Sequence, residues 1–187
     1  SSPWPMGIPR LRMPAGAPSR STLKLAEALL FFLGEEGTRK RLRPGMTAVD
    51  LGASPGGWTW QLVRHGLMVT AVDNGPMDAA LLETGQVRHR REDGFRFRPA
   101  EPVDWLVCDM VESPSRVAAL AARWVAGGWC REAIFNLKLP MKKRREEVER
   151  ARGIVAEAFA GRPFRLAVRH LYHDREEVTA WLAAGPR

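Results

Sequence analysis

Short apolar segments recur along the chain at a spacing that predicts a wound sheet. Five of them, "MTAVDLG", "LMVTAVD", "VRHRRED", "VDWLVCDM" and "EAIFNLKL", are mostly apolar or β-branched, and most are separated by helix-like sequence such as residues 115–125. Strands of this kind, alternating with helices, are typical of a parallel sheet buried on both faces. We therefore expect an α/β fold with these strands at its centre.

The sequence before and after these segments predicts other elements. In the segment before the first strand, serines are able to cap a helix, and Leu23, Ala26, Leu30 and Leu33 fall on one helical stripe. The last two apolar segments, "FRLAVRHLY" and "EEVTAWLA", are joined by a short region around "HDR" and predict a hairpin. The hairpin would add one antiparallel edge strand to a mostly parallel, seven-stranded sheet.

The composition indicates one domain preceded by an arm. Five prolines fall within residues 1–18, which we interpret as an extended basic arm. Residues 19–187 show no repeat, low-complexity tract or internal linker. A chain of 187 residues with 45% hydrophobic content is long enough for one domain with a sizeable core.

The charge of the chain favours a polyanionic partner. Its formal net charge is +8 and its pI is near 10.4, although a genome-wide arginine bias also produces such a balance. No apolar run approaches the length of a membrane span, and the first residues lack a signal-peptide pattern. Cys108 and Cys130 lie in apolar segments without metal or disulfide spacing. We expect a soluble, cytoplasmic protein.

The turn "DLGASPGGW", which begins at Asp50, raises the question of a nucleotide site. Gly52 and Gly57 have the spacing of a Walker A loop and Thr59 stands at its Ser/Thr position, but Trp58 replaces the lysine that reaches the terminal phosphates. A dinucleotide fingerprint also fails, because its middle glycine is absent. The turn and the preceding acid suit a cationic, amino-acid-bearing nucleoside such as S-adenosylmethionine.

Two further acids follow the next two strands. Asp73 stands where a carboxylate can accept both hydroxyls of a ribose, and Asp93 is placed to meet an adenine amino group. Each acid alone is as readily a helix cap or a loop residue. Ligands of doubly wound sheets bind at the carboxyl ends of the strands, so the three acids together predict one site. The predicted cofactor-binding residues are Asp50, Gly52, Ala53, Ser54, Pro55, Gly56, Gly57, Trp58, Asp73 and Asp93.

Motifs through nearly the whole chain resemble those of a known family. They are "SRSTLKLAEA", "DLGASPGGWTWQLV", "VDNGPM", "REDGF", "VCDMVE", "FNLKLPMKKR" and "YHDREEVT". They are similar to the RlmM type of FtsJ-related RNA ribose 2′-O-methyltransferases, bacterial enzymes that act on a cytidine of 23S ribosomal RNA. The resemblance implies a Rossmann-like class I methyltransferase fold, S-adenosyl-L-methionine as the cofactor and RNA as the partner. Family members carry a further amino-terminal RNA-binding region, so we interpret this chain as the catalytic half or a short relative.

The resemblance also implies a catalytic set of Lys24, Asp109, Lys138 and Glu177. Glu177 is preferred to Glu176 because the family motif places its acid directly before the valine, and adjacent strand residues point to opposite faces. Independently, Asp109 and Lys138 lie near the carboxyl ends of apolar strands, where an unpaired charge is costly, so we expect them to face a shared cleft. The alternative is a buried ion-pair network without chemistry.

Lys138 is the predicted general base. A ribose hydroxyl is a poor nucleophile until its proton is removed, and a methyl group on a sulfonium needs only an in-line attacker held close. We expect burial and the like charge of Lys24 to lower the pKa of Lys138, with Asp109 limiting the shift. Lys24 and Glu177 would orient the hydroxyl and the ribose. The histidines show no ligand pattern, and no metal is required.

Other functions and contacts remain open. A methyltransferase for transfer RNA or for a small molecule is one alternative, and a catalytically silent RNA-binding relative is another. Trp105 and Trp124 are expected in the core, and His170 and His173 in the hairpin. The basic segments that could contact phosphates are residues 39–43, 88–91 and 142–145, and the arginines placed to guide the substrate are Arg10, Arg12 and Arg20.

Overall fold

The computed structural model describes residues 8–186, which form seven strands and five helices. The strands are β1 (Thr47–Leu51), β2 (Met68–Val72), β3 (Val87–Arg90), β4 (Val103–Cys108), β5 (Cys130–Lys138), β6 (Phe164–Arg169) and β7 (Glu177–Ala184). The helices are α1 (Thr22–Arg41), α2 (Gly57–Arg64), α3 (Ala79–Glu83), α4 (Pro114–Ala126) and α5 (Arg144–Phe159). Every predicted strand segment forms a strand. Residues 8–18 contain neither helix nor strand, and the predicted arm's first seven residues lie outside the described part of the chain.

The strands form one sheet in the order β3-β2-β1-β4-β5-β7-β6. Strands β1 to β5 pair in parallel, and β7 is antiparallel to both β5 and β6. The expected α/β fold with a mostly parallel, seven-stranded sheet is confirmed. The hairpin does sit at one edge, but its outer strand is β6. The antiparallel strand β7 is therefore not the edge strand: it pairs with β5 on one side and β6 on the other and is buried along nearly its whole length. Strand β6 pairs only with β7 and is partly exposed, as is usual for an edge strand.

Helices cover both faces of the sheet. In β4, Trp105 and Val107 pack with α1 and α2, whereas Leu106 and Cys108 pack with α4 and α5. This alternation explains why the strand reads as a continuous apolar run. The expectation that Trp105 and Trp124 are core residues is confirmed.

Two expectations about burial are wrong. Strand β3, one of the five segments expected to be buried on both faces, is only partly buried, because it is an edge strand of the sheet. Helix α1 does not bury the predicted stripe as a unit, because it packs against α2 on one side and receives the β6–β7 loop on another. Its buried apolar residues are Leu23, Leu25, Ala28 and Leu29, whereas Ala26, Leu30 and Leu33 are only partly buried. The Ser21 side chain makes no capping hydrogen bond.

The strand order determines where a ligand can enter. The chain winds from β1 outward to β3 and then returns to β4 on the other side of β1. At this reversal the connections after β1 and β4 leave in opposite directions, which opens a crevice at the carboxyl ends of the two strands. Within residues 8–186, no helix combines the length and apolarity that crossing a bilayer requires.

Candidate active site

Two adjoining cavities open at this reversal. The larger, which we call the acidic cleft, has a volume of about 490 Å³, and the smaller inner pocket has about 160 Å³. The two share Gly52, Ser54 and Asp109. The acidic cleft is also lined by Val72, Asp73, Asn74, Glu92, Asp93, Gly94, Phe95, Met110, Val111 and Glu112. The inner pocket is also lined by Ser19, Ser21, Asp50, Ala53, Pro55 and Trp58.

The charge of the lining is opposite to that of the protein. Six acids line the two cavities, and among the described residues no lysine or arginine does so, although the chain carries a net charge of +8. Such a cavity favours a cation and disfavours phosphate groups. This agrees with the rejection of triphosphate and dinucleotide sites.

The glycine turn brings backbone close to its neighbours. Gly52 has φ +76°, and a Cβ atom there would lie 2.4 Å from Cγ of Met110. A Cβ on Gly57 would lie 2.3 Å from Oγ of Ser21, so this glycine admits the start of α1. Gly56 and Gly57 do not line the two cavities, in contrast to the other predicted residues of the turn.

Asp73 and Asp93 both lie in the acidic cleft. The carboxylate of Asp73 accepts hydrogen bonds from the backbone N–H groups of Ser54 (3.0 Å) and Gly75 (2.7 Å), one on each oxygen. Each oxygen keeps acceptor capacity, so the fixed carboxylate can still accept two vicinal hydroxyls. Asp93 accepts from the N–H of Phe95 at 2.9 Å and is otherwise exposed.

Asp50 is the buried acid of the inner pocket. Thr59, which stands at the Walker Ser/Thr position, donates its hydroxyl to Asp50 at 2.7 Å. Burial raises the pKa of Asp50 to about 7, against the opposing effect of that hydrogen bond. The charge of Asp50 is therefore poised near neutral pH. A cation in the inner pocket would favour its ionised form.

The four residues of the predicted catalytic set form a closed ring of alternating charge. Nζ of Lys24 lies 2.5 Å from Glu177 and 3.3 Å from Asp109. Nζ of Lys138 lies 2.7 Å from Asp109 and also contacts Glu177. Asp109 lines both cavities. We call this arrangement the charge ring, and Asp109 joins it to the acidic cleft.

Strand alternation separates the two adjacent glutamates. Glu177 is 5% exposed and belongs to the ring, whereas Glu176 is exposed. Burial by itself would raise the pKa of Glu177, but the hydrogen bonds and charges of Lys138 and Lys24 outweigh burial and lower this pKa.

The protonation of Lys138 differs from the expectation. Burial by itself would lower its pKa, but the charges and hydrogen bonds of Asp109 and Glu177 outweigh burial and raise the pKa above its ordinary value. The expected lowered pKa is therefore wrong. Two carboxylates contact this one ammonium group, and the sequence did not indicate that the second of them, Glu177, would contact it directly.

Sequence reasoning missed the residues that support the ring. Asn136 donates to Asp109 at 3.0 Å, and its amide oxygen accepts from Thr179 at 2.8 Å. Thr179 also contacts Asp174, and burial raises the pKa of that carboxyl to about 6. Asn136 lies two residues before Lys138 on β5, and Thr179 lies two residues after Glu177 on β7. Polar residues at period two within apolar strands were the available signal.

A buried carboxylate on α1, Glu27, was also not predicted from the sequence. Glu27 is 2% exposed and accepts hydrogen bonds from the backbone N–H groups of Tyr172 (2.8 Å) and His173 (2.9 Å). Nδ1 of His173 lies 2.6 Å from the same carboxylate. Because Glu27 lies about one turn after Lys24, it ties the helix that carries Lys24 to the loop before β7.

The histidines and basic segments have distinct positions. His170 and His173 lie in the β6–β7 loop, as expected. Within residues 8–186, no group of three or more His, Cys, Asp or Glu side chains is arranged to hold a metal ion. Of the three basic segments, residues 142–145 begin four residues after Lys138, the last residue of β5, and are exposed. In the segment 39–43, Arg41 instead pairs with Glu132.

Comparison with known protein families identifies the family to which this chain belongs. A family model described as FtsJ-like methyltransferase matches residues 17–180. The chain belongs to the FtsJ-like methyltransferase family. Among curated relatives, it is 65% identical over 184 residues to ribosomal RNA large subunit methyltransferase M of Methylococcus capsulatus and 60% identical over 182 residues to that of Azoarcus sp.. Both matches cover 97% of this chain but only 52% and 50% of the relatives, so the chain spans about half their length.

Solved structures agree with the assignment at the level of the fold. Fibrillarin of Methanococcus jannaschii matches with a TM-score of 0.61 and 14% identity, over 77% of this chain and 68% of that one. Aeropyrum pernix fibrillarin, solved with natively bound S-adenosyl-L-methionine, matches with a TM-score of 0.59 and 18% identity, over 86% and 74%. This FtsJ-like methyltransferase therefore has the fold of S-adenosylmethionine-dependent methyltransferases.

Proposed function

We propose that this FtsJ-like methyltransferase transfers a methyl group from S-adenosyl-L-methionine to the 2′-hydroxyl of an RNA ribose, on a cytidine of 23S ribosomal RNA, in the cytoplasm. The observation that carries the proposal is the charge ring beside an acidic cleft. The ring provides Lys138, a candidate base that contacts both carboxylates, Asp109 and Glu177. Lys24, which contacts the same two carboxylates, can orient a hydroxyl together with Glu177. The names of the curated relatives support ribosomal RNA of the large subunit as the substrate.

The acidic cleft and the inner pocket fit S-adenosyl-L-methionine. When bound, this cofactor would supply an electrophilic methyl group on a sulfonium cation, and transfer of that group would break its carbon–sulfur bond and leave a neutral thioether. Asp73 offers two fixed oxygens to the ribose hydroxyls, and Asp93 offers an acceptor to the adenine amino group. Asp50 and Asp109 line the inner pocket, where their charge favours the ammonium end of the cofactor. The buried Asp50 is the group whose ionisation such a cation would complete.

In the chemical step, Lys138 is the base and the rest of the ring positions the hydroxyl. Neutral Lys138 accepts the hydroxyl proton as the ribose oxygen attacks, and the resulting ammonium is stabilised by Asp109 and Glu177. Lys24 donates to the ribose oxygen and holds it in line. Because the carboxylates raise the pKa of Lys138, its neutral form is scarce at neutral pH. Turnover should therefore depend on pH.

Transfer of a labelled methyl group to RNA tests the reaction. A 2′-O-methyl group removes the hydroxyl that drives alkaline cleavage, so label on ribose should be recovered in alkali-resistant dinucleotides. Lys138→Met should reduce transfer by a factor of about 10² to 10⁴, the usual contribution of a general base, and leave cofactor affinity within about twofold. Lys40→Met, at the far end of α1, is the matched control and should keep full activity. Label released as ordinary mononucleotides, or full activity in Lys138→Met, would contradict the proposal.

Mapping RNA from cells with and without the protein tests the substrate. We expect one cytidine of 23S ribosomal RNA to lose its ribose methyl group when the protein is absent. If a methyl group were lost from transfer RNA instead, the proposed ribose methylation would stand, but the proposed substrate would be wrong. Loss from no RNA would overturn the RNA assignment.

A further inference from the structure

The most exposed large apolar side chains of the described residues surround one end of the sheet. Val111 is 88% exposed, Met141 is 82% exposed and Tyr172 is 54% exposed. Large side chains elsewhere on the surface are less exposed, such as Met68 at 45%. Because exposing apolar surface to water is unfavourable, three such residues on neighbouring loops indicate an interaction site. We call them the apolar rim.

Each residue of the apolar rim lies on a loop connected to the charge ring. Val111 is two residues after Asp109 and also lines the acidic cleft. Met141 is three residues after Lys138, in the loop between β5 and α5. Tyr172 lies in the loop before Glu177, and its backbone N–H is held by Glu27. A molecule whose reacting atom sits in the charge ring would therefore reach the apolar rim with its adjoining parts.

Positive charge accompanies the apolar rim. Lys142 directly follows Met141 and is exposed, and the exposed Arg175 lies three residues after Tyr172. The guanidinium group of Arg10 lies 5.5 Å from the centre of the Tyr172 ring. Exposed apolar and aromatic groups next to cations match a single-stranded nucleic acid, which presents flat base faces and phosphates together. An apolar peptide would not explain the cations.

We propose that the apolar rim contacts the bases next to the target nucleotide and so positions the RNA strand for the charge ring. Tyr172, together with Arg10, provides a stacking surface, and Met141 and Val111 contact base faces on the other side of the ring. Lys142 and Arg175 contact the phosphates between those bases. This inference rests on the proposed function, because it takes RNA as the substrate of the ring.

A comparison of two probes separates base contacts from phosphate contacts. The first probe is a single-stranded RNA 12-mer, and the second is a ribose-phosphate oligomer of the same length without bases. We expect the unmodified chain to bind the first more tightly. The double variant Met141→Ala/Tyr172→Ala should lose about tenfold in affinity for the RNA and keep its affinity for the abasic oligomer. Val111 stays intact because it also lines the acidic cleft.

Two controls complete the test. Met68→Ala removes an exposed apolar side chain from the amino end of β2, whereas the apolar rim lies beyond the carboxyl ends of the parallel strands, so it should leave binding of both probes unchanged. Lys142→Met should weaken both probes alike. Cofactor binding by the double variant, measured by calorimetry, shows that it is folded. If the double variant is unfolded, Met141→Ala alone serves, because its side chain is almost fully exposed.

Methyl transfer distinguishes failure of this inference from failure of the proposed function. For the double variant we expect a KM for RNA raised about tenfold and a nearly unchanged kcat. Equal affinity of the unmodified chain for both probes would overturn the inference, as would an unchanged KM in the double variant. If the unmodified chain transfers no methyl group to ribose, the proposed function fails, whatever the binding results.

Discussion

Lys138 and Glu177 stand directly opposite each other on the antiparallel strands β5 and β7, and their charged groups are in contact. A shift of the hairpin by one residue would turn Glu177 to the other face of the sheet and place Glu176 opposite Lys138 instead. The pairing register therefore determines which glutamate contacts the lysine. It also determines the protonation of Lys138, because the neighbouring carboxylate helps to raise its pKa.

The pH dependence of turnover should reflect this pair. If Lys138 must be neutral to act, kcat should rise about tenfold per pH unit through the neutral and mildly alkaline range, below the ordinary lysine pKa of about 10.4. Glu177→Gln removes one charge that raises the pKa of Lys138. This variant should have a lower kcat, because Glu177 also positions the substrate, and its profile of kcat against pH should be shifted to lower pH. The exposed Glu176→Gln should show no shift. Measurement of kcat between pH 7 and pH 9.5 checks this, and a flat profile for the unmodified chain would contradict it.

Asp73 should contribute strongly to cofactor affinity. Asp73→Ala removes two charged acceptors for the ribose hydroxyls, so S-adenosylmethionine should bind about 10- to 100-fold more weakly. Glu83→Ala, an exposed charge change on α3, is the control and should bind normally. Calorimetry measures both, and the unfolding temperature without ligand reports any damage to the turn. Equal affinity of the unmodified chain for NAD would rule out the cofactor assignment.

Asp50 should make stability fall as the pH rises. An unfolded aspartate has a pKa of about 3.9, whereas burial raises the pKa of Asp50 to about 7. The folded protein therefore holds the proton more tightly, and the stabilisation present below pH 4 is lost as the pH approaches 7. The free energy of unfolding of Asp50→Asn, measured relative to that of the unmodified chain, should increase by about 3 kcal/mol between pH 5 and pH 8. Urea unfolding at the two pH values measures the difference, and a difference independent of pH would show that Asp50 is ionised throughout.

Glu27 should stabilise the protein through the β6–β7 loop. Glu27→Ala leaves the partly buried N–H groups of Tyr172 and His173 without their acceptor, which should cost about 2–4 kcal/mol. Activity should fall as well, since the loop leads to Glu177 and the helix carries Lys24. Glu35→Ala, an exposed change on the same helix, should alter stability by less than about 0.5 kcal/mol. Urea unfolding gives both values, and a loss in Glu27→Ala no larger than in this control would mean that water satisfies the two N–H groups.

Local features of the sequence determined the strands, the glycine turn and the position of the acids. These features are apolar runs, period-two alternation and turn residues. Each depends only on neighbours in the chain, so each can be recognised without a structure. Asp50, Asp73 and Asp93 lie at or near the carboxyl ends of successive strands. Because parallel strands end at one edge of the sheet, the sequence could predict that these acids share a site. Family resemblance, and not periodicity, brought Lys24 and Glu177 into the predicted site.

Only the tertiary structure decided the buried side of α1, the inner position of β7, the Glu27 contact and the raised pKa of Lys138. Each depends on residues distant in sequence: Glu27 meets a loop 145 residues away, and Lys24 meets Asp109 across 85 residues. The pKa of Lys138 depends on how closely two carboxylates approach one amine, and Coulomb energy changes steeply over a few ångströms in a partly buried site. The sequence specifies the charges, but the distances between them, which decide their protonation, arise only when the sheet and the helix pack together.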